Sequence, residues 1–433
     1  MTQRFVNSHP PCRLADARVQ ATSPVLAKLA GGVLLSALLG VGGLSGCSTF
    51  KKTAPVNPPA PLVQIGNPQP VLAPAFYHAA PAGKRRLGLG GGKTSAVKPS
   101  KKYGATQTGA GLQVVSDSGG FVSAASNGIV TAISPQGQTQ WQISLPHTIT
   151  GGVSLDNTDG NVLVSDREGN VIALERTTGK TRWQTRLASP VMSPVLVSGA
   201  RVVALSNSGV VTGLDRQTGQ VVWQFATQNP NLSLRGAASP IALDATTALV
   251  ATADGRVHGI TLANGTPLWS RRISQVRGAS DIDRLADIDA TPVFEGTTLY
   301  VVSYSGQLLA VDLATGQLLF SQDIASLKSV ALDGDSLYAT TLDGKLLCLD
   351  KVTGDLRWQS DTLSYRGLSN AVATPRAVLV GDVYGYIHAF DKATGKPIDR
   401  QQTRHAVTHL QRDGNRLLAT DNDGSFSVWQ VRL

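Results

Sequence analysis

Apolar and polar side chains alternate in short runs from about residue 105 to the end of the chain. Residues 181–186, for example, read TRWQTR, and such runs are separated by turns rich in Gly, Asp, Asn and Thr. A period of two is typical of β-strands, and almost no segment here has the period of a helix. The pattern therefore predicts an all-β body made of short strands.

The body repeats itself. Each unit has a leading Gly, a strand-like run, a turn that ends in a second Gly, and usually a Trp fourteen residues after the first Gly. The leading glycines are Gly128, Gly169, Gly209, Gly255, Gly306, Gly344, Gly385 and Gly424, spaced by 41, 40, 46, 51, 38, 41 and 39 residues. Periods near 40 with short strands are typical of β-propeller blades. We predict an eight-bladed β-propeller with four-stranded antiparallel blades.

One aromatic position recurs in these units. It holds Trp141, Trp183, Trp223, Trp269 and Trp358, and in two further units Phe320 and Asp399. A large ring at a fixed place in each blade is expected to pack between neighbouring blades. Phe320 is an acceptable replacement, whereas Asp399 predicts a looser or differently packed blade.

The last copy is incomplete, because it begins at Gly424 and the chain ends at Leu433, before the turn. A strand from the start of the body should complete this blade, since ring closure hides both open sheet edges. Tyr103 to Thr108 is the expected donor, with Tyr103 at the tryptophan position.

The amino-terminal region has the pattern of an export signal. Lys28 is followed by sixteen uncharged residues, 29–44, of which five are Gly. This run is short for a membrane-spanning helix, which needs roughly 20 apolar residues. Residues 44–47, LSGC, resemble the bacterial lipobox, which implies cleavage after residue 46 and lipidation of Cys47. Ser48 in place of Asp favours the outer membrane; the alternatives are an ordinary signal peptide and a transmembrane helix.

Residues 47–104 are expected to form a flexible basic tether between Cys47 and a propeller at 105–433. They contain eight prolines between positions 55 and 81 and no apolar period, so they cannot bury enough surface to fold alone. Residues 1–46 then form the signal peptide.

The net charge of +10 is concentrated before the body. Residues 1–47 carry +3 and residues 48–104 carry +9, which leaves −2 on the remaining 329 residues. A nucleic-acid-binding domain needs a basic folded face, so this function class is excluded.

Candidate catalytic groups are scattered. His147, His258, His388, His405 and His409 fall in different repeats, and His258 and His388 occupy equivalent strand positions, which indicates packing. Neither a Ser-His-Asp arrangement nor a metal-ligand spacing is present. Of three cysteines, only Cys348 lies in the body, which excludes an intrachain disulfide there. We predict no enzymatic activity, cofactor or metal; the rival from another class is a quinone-dependent dehydrogenase, which uses the same repeat.

Two connections are longer than the others, after Trp223 and after Trp269. Equivalent connections of adjacent blades emerge on one face of a propeller, where long loops commonly bind partners. The first carries Leu232, Leu234 and Arg235, an apolar anchor beside a forked donor. The second carries Asp281, Asp283, Asp287 and Asp289. Alternatively, Arg235 and Arg284 pair with these aspartates to brace the blades, or the aspartates bind calcium, although the spacing of a calcium loop is missing.

The tryptophan-bearing units resemble the pyrroloquinoline-quinone-type propeller repeat. Residues 232–236 (LSLRG), 281–292 (DIDRLADIDATP) and 381–386 (GDVYGY), together with the lipobox, look like the BamB family of outer-membrane assembly lipoproteins. The resemblance covers the leader and residues 105 to 433, but the long basic tether departs from the family.

This resemblance implies a scaffold of the β-barrel assembly (BAM) complex, without cofactor. It also implies that Leu232, Leu234, Arg235, Asp287 and Asp289 contact the POTRA domains of BamA. Other BAM lipoproteins would join indirectly, and unfolded outer-membrane proteins are possible clients. An alternative interpretation of the same features is a periplasmic module that binds cell-wall glycan or another exported polymer.

Overall fold

A computed structural model describes residues 57–80, 112–227, 238–273, 288, 290–304, 306–421 and 423–432. All of them belong to one compact unit, Pro55–Leu433. The described residues form 32 strands and no helix. The strands make eight four-stranded antiparallel sheets, which confirms the predicted eight-bladed β-propeller.

The first four blades are simple meanders, each running from an inner to an outer strand. Blade 1 comprises β2 (Val115–Asp117), β3 (Gly120–Ala124), β4 (Ile129–Ile133) and β5 (Thr139–Ser144). Blade 2 comprises β6 (Ile149–Asp156), β7 (Asn161–Asp166), β8 (Asn170–Glu175) and β9 (Thr181–Arg186). Blade 3 comprises β10 (Leu196–Ser198), β11 (Arg201–Leu205), β12 (Val210–Asp215) and β13 (Val221–Ala226). Blade 4 comprises β14 (Ile241–Ala242), β15 (Thr247–Ala251), β16 (Arg256–Thr261) and β17 (Pro267–Arg272).

Three further blades repeat this plan and the eighth departs from it. Blade 5 comprises β18 (Val293–Glu295), β19 (Thr298–Val302), β20 (Gln307–Asp312) and β21 (Leu318–Asp323). Blade 6 comprises β22 (Ala331–Asp333), β23 (Ser336–Thr340), β24 (Leu346–Asp350) and β25 (Leu356–Ser360). Blade 7 comprises β26 (Leu368–Ala373), β27 (Ala377–Asp382), β28 (Tyr386–Asp391) and β29 (Pro397–Gln402). Blade 8 comprises β30 (His409–Asp413), β31 (Arg416–Thr420), β32 (Phe426–Val431) and, outermost, β1 (Leu72–His78).

Burial follows the position of a strand in its blade. The second and third strands are buried along nearly their whole length, as in β7, because both faces pack on neighbouring blades. The outer strands alternate between exposed and buried positions, as in β9. The period of two seen in the sequence is therefore clearest at the rim of the propeller.

A repeated contact joins neighbouring blades. The Trp183 ring of blade 2 lies against Gly219 in the turn before β13, so closely that an added Cβ would overlap the ring. The Trp183 indole N–H also donates to the Arg216 carbonyl, at 3.0 Å. The same ring-on-glycine contact occurs at Trp141 and Gly179, Trp223 and Gly265, Phe320 and Gly354, and Trp358 and Gly395. We call this arrangement the blade latch; at Gly219 it needs both the small size of glycine and its φ of 72°.

Phenylalanine at position 320 lacks the indole N–H, and another side chain replaces that hydrogen bond. The Tyr300 hydroxyl, from β19 of the same blade, donates to the Lys351 carbonyl at 3.0 Å. Lys351 stands three residues before its turn Gly354, as Arg216 does before Gly219. Phe320 is therefore the acceptable replacement that the sequence predicts, with help from Tyr300.

The ring closes through β1, which corrects the expected donor. β1 pairs antiparallel with β32, from Leu72 opposite Val431 to His78 opposite Phe426. Phe76 takes the latch position, since it contacts Gly137 in the turn of blade 1. The outer position of blade 8 thus belongs to Leu72–His78 and not to Tyr103 to Thr108, a segment outside the described residues. An apolar cluster that joins Phe121 of blade 1 to Phe426 of blade 8 and includes Phe76 gives the physical reason.

The expected tether at 47–104 is also wrong for residues 57–80, and the propeller begins before residue 105. Residues 57–71 form an extended strap on blade 7. Ala60 N–H donates to the Ser364 carbonyl at 2.8 Å, Gln69 N–H to the Ile398 carbonyl at 2.8 Å, and Arg400 to the Val63 carbonyl at 2.7 Å. A proline-rich extended segment has no internal main-chain hydrogen bonds, so its remaining N–H groups and its carbonyls are available for such single contacts, which need no apolar period.

Asp399 marks the place where the strap becomes β1. Its carboxylate accepts a hydrogen bond from the Val71 main-chain N–H at 3.1 Å, and the carboxylate is buried. At the junctions with a blade latch, the residue at the position of Asp399 packs beside a turn glycine of the following blade. At the junction of blades 7 and 8, the amino-terminal segment at Val71 takes the place of that turn. The departure from Trp at this position thus has a structural reason.

Candidate partner-binding face

In blades 1 to 7, a connection leads from the outer strand of each blade to the inner strand of the blade that follows it in the sequence. The outer strands end in the same way: Leu145, Leu187, Thr227, Ile273 and Thr403 each donate a main-chain hydrogen bond to the leading Gly of their own blade. The connections therefore emerge on one side of the propeller, which we call the connection face. The two long connections, 227–240 and 273–292, link β13 to β14 and β17 to β18.

The predicted partner-binding residues Leu232, Leu234, Arg235, Asp287 and Asp289 lie outside the described residues. So do Cys47, Asp281, Asp283 and Arg284, including the arginine–aspartate pairs considered as an alternative. The structure describes the first and last residues of each connection. These residues fix the points on the propeller at which each connection leaves one blade and enters the next.

The returning ends of the two long connections meet. The Ser239 main-chain N–H donates to the Thr291 hydroxyl at 3.2 Å. One residue before each of these, Ala238 and Ala290 are almost fully buried, and Ile288 and Ala238 pack in one apolar cluster with Leu249. The two chain ends are thus fixed beside each other at the inner strands of blades 4 and 5.

A chain of hydroxyl groups continues this contact around the inner strands. Ser193 donates to the Ala238 carbonyl at 3.5 Å, and Ser329 donates to the Thr291 carbonyl at 2.8 Å. The buried Oγ of Ser239 has no partner within the described part of the chain. These contacts link blades 2 to 6 on the connection face and give the two long connections a rigid base.

Lys328 crosses the inner side of the ring, and no sequence pattern marks it. Its ammonium group, from the connection between blades 5 and 6, donates to the Thr408 carbonyl at the start of blade 8, at 3.2 Å. Burial lowers the pKa of Lys328 to about 8. Burial, and then the charge of Lys328, lowers the pKa of His409 to about 3. Lys328 is therefore a cation close to the base of the long connections, whereas His409 is neutral.

Residues 381–386, the third stretch on which the family resemblance rests, form a buried ionic cluster. Asp382 accepts hydrogen bonds from Arg366 at 2.6 Å and from the main-chain N–H groups of Tyr384 and Tyr386 at 3.0 Å each. Its carboxylate also lies 3.0 Å from His388 Nε2. Arg366 in turn donates to the Ala60 carbonyl at 3.1 Å and stacks on Tyr384. The cluster therefore holds the strap on blade 7.

The equivalent histidines are buried and occupied in packing contacts. His258 Nε2 lies 3.2 Å from the Thr252 hydroxyl, and His388 contacts Asp382 as described. Burial is the largest influence on both and lowers both pKa values, which keeps the rings neutral. In the described ranges, no three His, Cys, Asp or Glu side chains are grouped to hold a metal ion. Those ranges also contain no helix suited to crossing a membrane.

Known proteins resemble this chain over most of its length. The chain is 28% identical to outer membrane protein assembly factor BamB of Escherichia coli K12, over 92% of this chain and 98% of that protein. It is 29% identical to BamB of Yersinia pestis, over 85% and 90% of the two chains. The crystal structure of BamB from Moraxella catarrhalis superposes with a TM-score of 0.71 at 39% identity, covering 73% of this chain and 96% of that one.

A quinohemoprotein alcohol dehydrogenase from Pseudomonas putida HK5 also has this fold, with a TM-score of 0.57. The sequence identity between the dehydrogenase and this chain is 13%, so the likeness concerns the fold alone. The sequence profile of the family described as outer membrane protein assembly factor BamB matches residues 126–360, more than half of the chain. On these grounds the chain belongs to the family of outer membrane protein assembly factor BamB.

Proposed function

We propose that this protein is a non-enzymatic scaffold subunit of the outer-membrane β-barrel assembly complex. In this role it binds the POTRA domains of BamA and assists the delivery and insertion of β-barrel proteins. The main structural support is the hydrogen bond between Ser239 and Thr291, which fixes the two long connections beside each other. BamA is proposed as the partner because the chain belongs to the BamB family.

The binding patch consists of Leu232, Leu234 and Arg235 on one connection and Asp287 and Asp289 on the other. Ser239 follows Arg235 by four residues, and Thr291 follows Asp289 by two. Because these anchors are hydrogen-bonded, both halves of the patch start from a common rigid base. Leucines supply apolar contact, and the arginine and carboxylates supply charge-assisted hydrogen bonds.

We expect Leu234→Asp combined with Arg235→Glu to abolish co-purification with BamA. The change places charge on an apolar anchor and reverses the charge of the donor, so it should not affect the distant blade cores. The measurement is recovery of BamA with the affinity-tagged full chain from solubilised membranes. A matched control is Val352→Asp combined with Lys180→Glu, which has the same charge change on exposed turn residues of the opposite face. Undiminished BamA recovery with the first variant would exclude this patch.

The protein is further proposed to be anchored at the periplasmic face of the outer membrane through lipid on Cys47. In the sequence, nine residues, 48–56, lie between Cys47 and the strap on blade 7, so a lipid on Cys47 would hold the propeller close to the membrane. The basic residues that follow position 80 belong to the stretch 81–111, which separates β1 from β2 in the sequence.

Replacement of Cys47 by Ser should move the protein from the outer-membrane fraction to the soluble or inner-membrane fraction. The thiol that receives the lipid is lost, and several acyl chains are needed for stable anchoring. The measurement is membrane fractionation with mass spectrometry of the amino terminus. Cys348→Ser is the matched control, since that buried thiol lies in the propeller. Outer-membrane recovery of the Cys47→Ser protein would contradict lipid anchoring.

The non-enzymatic role rests on the relatives and on the buried polar groups. The relatives named above are assembly factors, and the similarity to a dehydrogenase is one of fold. Asp382, a fully buried carboxylate, accepts hydrogen bonds from two main-chain groups and from Arg366, so it is committed to structure. The proposed action is geometric: the propeller holds the POTRA domains in a fixed relation to one another.

A further inference from the structure

The junction between blades 4 and 5 departs from the blade latch. At Gly316 the atoms nearest to an added Cβ belong to the Arg271 guanidinium, whereas an aromatic ring is nearest at the equivalent glycines. Trp269, unlike Trp183, makes no indole hydrogen bond within the described ranges. The latch of this junction is therefore built differently.

The ion pair that reinforces other junctions is also missing here among the described side chains. Arg176 pairs with Asp117 across junction 1/2 at 2.8 Å, and Lys351 pairs with Glu295 across junction 5/6. The equivalent residue at junction 4/5 is Leu313, which follows Asp312 as Arg176 follows Glu175. Leu262 takes this position at junction 3/4, but there the Trp223 indole N–H donates to the Leu262 carbonyl at 2.9 Å. Among the described residues, junction 4/5 therefore has neither this ion pair nor the indole hydrogen bond.

A cleft of about 460 Å³ occupies this junction. Its lining combines two guanidinium groups, from Arg271 and Arg272, with an apolar wall formed by Ile273, Leu309, Val311 and Leu318. We call it the blade 4–5 cleft. Its volume lies within the range of small ligand sites, roughly 300 to 1,000 Å³.

The two arginines are unusual at their positions. Arg186, the equivalent of Arg272 on blade 2, pairs with Glu168 at 3.5 Å, and Arg182 on the same strand pairs with Glu175. Neither Arg271 nor Arg272 forms an ion pair with a described carboxylate. Arg272 is also opposite Arg256 in the strand register, which adds a third cation, and Arg256 pairs with Asp254 at 3.5 Å. Counting the described residues, the cleft therefore carries excess positive charge beside an apolar wall.

The surroundings of the cleft favour an extended polypeptide. β17 and β21 are the outermost strands of their sheets, so within the described part of the chain each has an unpaired main-chain edge beside the cleft. Leu318 in the apolar wall is 57% exposed, and Leu268 and Leu319 on the same two strands are 58% and 45% exposed. Open strand edges bind extended segments through main-chain hydrogen bonds, while pockets select side chains.

We propose that the blade 4–5 cleft binds an extended peptide segment that carries a carboxylate group beside apolar side chains. The carboxylate lies between Arg271 and Arg272, and the apolar side chains cover Leu309, Val311 and Leu318. A carboxylate of this kind comes either from a chain terminus or from an internal acidic residue. None of the residues that line the cleft belongs to the BamA-binding patch, and the proposal does not depend on that patch.

The test is fluorescence polarisation with the purified full chain and labelled peptides of about seven residues, alternating in Val and Thr. One peptide has a free carboxyl terminus, one is amidated, and one is amidated with an internal Glu. We expect the two carboxylate-bearing peptides, or one of them, to bind at least about tenfold more tightly than the neutral amide. Which peptide binds identifies the source of the carboxylate.

Arg271→Gln combined with Arg272→Gln should raise the Kd of the carboxylate peptide at least about tenfold, to that of the neutral amide. The matched control is Arg182→Gln combined with Arg186→Gln, which removes the paired arginines of blade 2 and should leave the Kd unchanged. Leu318→Ser, an exposed change that keeps both charges, should weaken binding by about threefold. The thermal midpoint of each variant reports whether the propeller stays folded.

Four results would overturn the proposal: equal binding of the neutral amide, equal weakening by the blade 2 control, no binding of any peptide, or arginine-dependent binding of anionic phospholipid vesicles in place of peptide. Because BamA is absent from this experiment, its outcome is distinguishable from that of the co-purification test.

Discussion

The aromatic ring at the latch position does two things at four of the eight blade junctions, those of Trp141, Trp183, Trp223 and Trp358. The ring fills the space above a turn glycine of the next blade, and the indole N–H satisfies a carbonyl three residues before that glycine. The sequence indicates the first role through its strict spacing. The second role became visible only from the contact, since Arg216 lies 33 residues from Trp183.

Comparison of two equivalent tryptophans can separate these roles. Trp183→Phe should lower the free energy of unfolding by about 1 kcal/mol more than Trp269→Phe does, because only Trp183 loses a hydrogen bond to a main-chain carbonyl. Both changes remove the same ring volume, so each serves as the other's control. The measurement is the urea midpoint followed by near-ultraviolet circular dichroism; equal losses would show that the indole N–H contributes nothing at this junction.

Some partners at the residue scale could not be predicted from sequence patterns. Tyr300 supplies the hydrogen bond that Phe320 lacks, yet the two residues lie in different strands, 20 positions apart. Lys328 has no special sequence neighbours, and its contact with Thr408 spans 80 residues. Such partners depend on which strands become neighbours in space.

At the scale of elements, the closing strand decides whether the ring is complete. The segment Leu72–His78 reads LAPAFYH. It contains a proline and is flanked by further prolines and by basic residues, a composition that predicted a spacer. In the structure its Phe76 faces Val428, four residues after Gly424, as Trp183 faces Ala173, four residues after Gly169. The register thus selects the segment whose aromatic side chain reaches the latch position.

Truncation distinguishes the two candidate closing strands. A chain that begins at residue 57 keeps β1 and should remain monomeric, whereas a chain that begins at residue 81 loses β1 and exposes the edge of β32. The shorter chain still contains Tyr103 to Thr108 intact. We expect the shorter chain to have a lower thermal midpoint and to form oligomers, because open strand edges pair with other chains.

Size-exclusion chromatography and thermal unfolding report these two effects. A chain that begins at residue 109 lacks both candidate strands and is the control, and it should behave like the chain that begins at residue 81. If the chain that begins at residue 81 were monomeric and as stable as the one that begins at residue 57, the assignment of β1 as the closing strand would be refuted.

At the scale of the whole molecule, buried histidines connect ring stability to pH. Burial lowers the pKa values of His258, His388 and His405, and lowers that of His409 to about 3. In the unfolded chain these groups titrate near about 6.5. The unfolded state therefore takes up protons first as the pH falls, and acid favours unfolding.

We expect the urea midpoint of the propeller to fall as the pH is lowered from about 7.5 to about 5. The contribution of His409 is complete above about pH 6.5 and is lost progressively as the pH falls toward about 3. His409→Gln should flatten this dependence because its side chain does not titrate. His147→Gln is the control, since that residue is exposed. A midpoint that is constant or higher at the acid end of this range would contradict the buried neutral histidines.

The partner patch illustrates the limits of sequence reasoning at this scale. The spacings of 46 and 51 residues identified the two long connections, and the closed ring makes them neighbours. The contact between Ser239 and Thr291 at their returning ends was not foreseen, because it joins positions 52 residues apart. The assignment of individual contact residues stays a prediction.

The sequence by itself determined the all-β class, the eight blades, the turn glycines and the ring position, because each depends on residues within one repeat. The tertiary structure decided which segment closes the ring, why Asp399 replaces the aromatic ring, and how the junction between blades 4 and 5 differs from the others. The physical reason is that these outcomes depend on strand register and on contacts between segments far apart in the sequence. Of the segments that could take a given place, the one that fills the shared core best is the one found there.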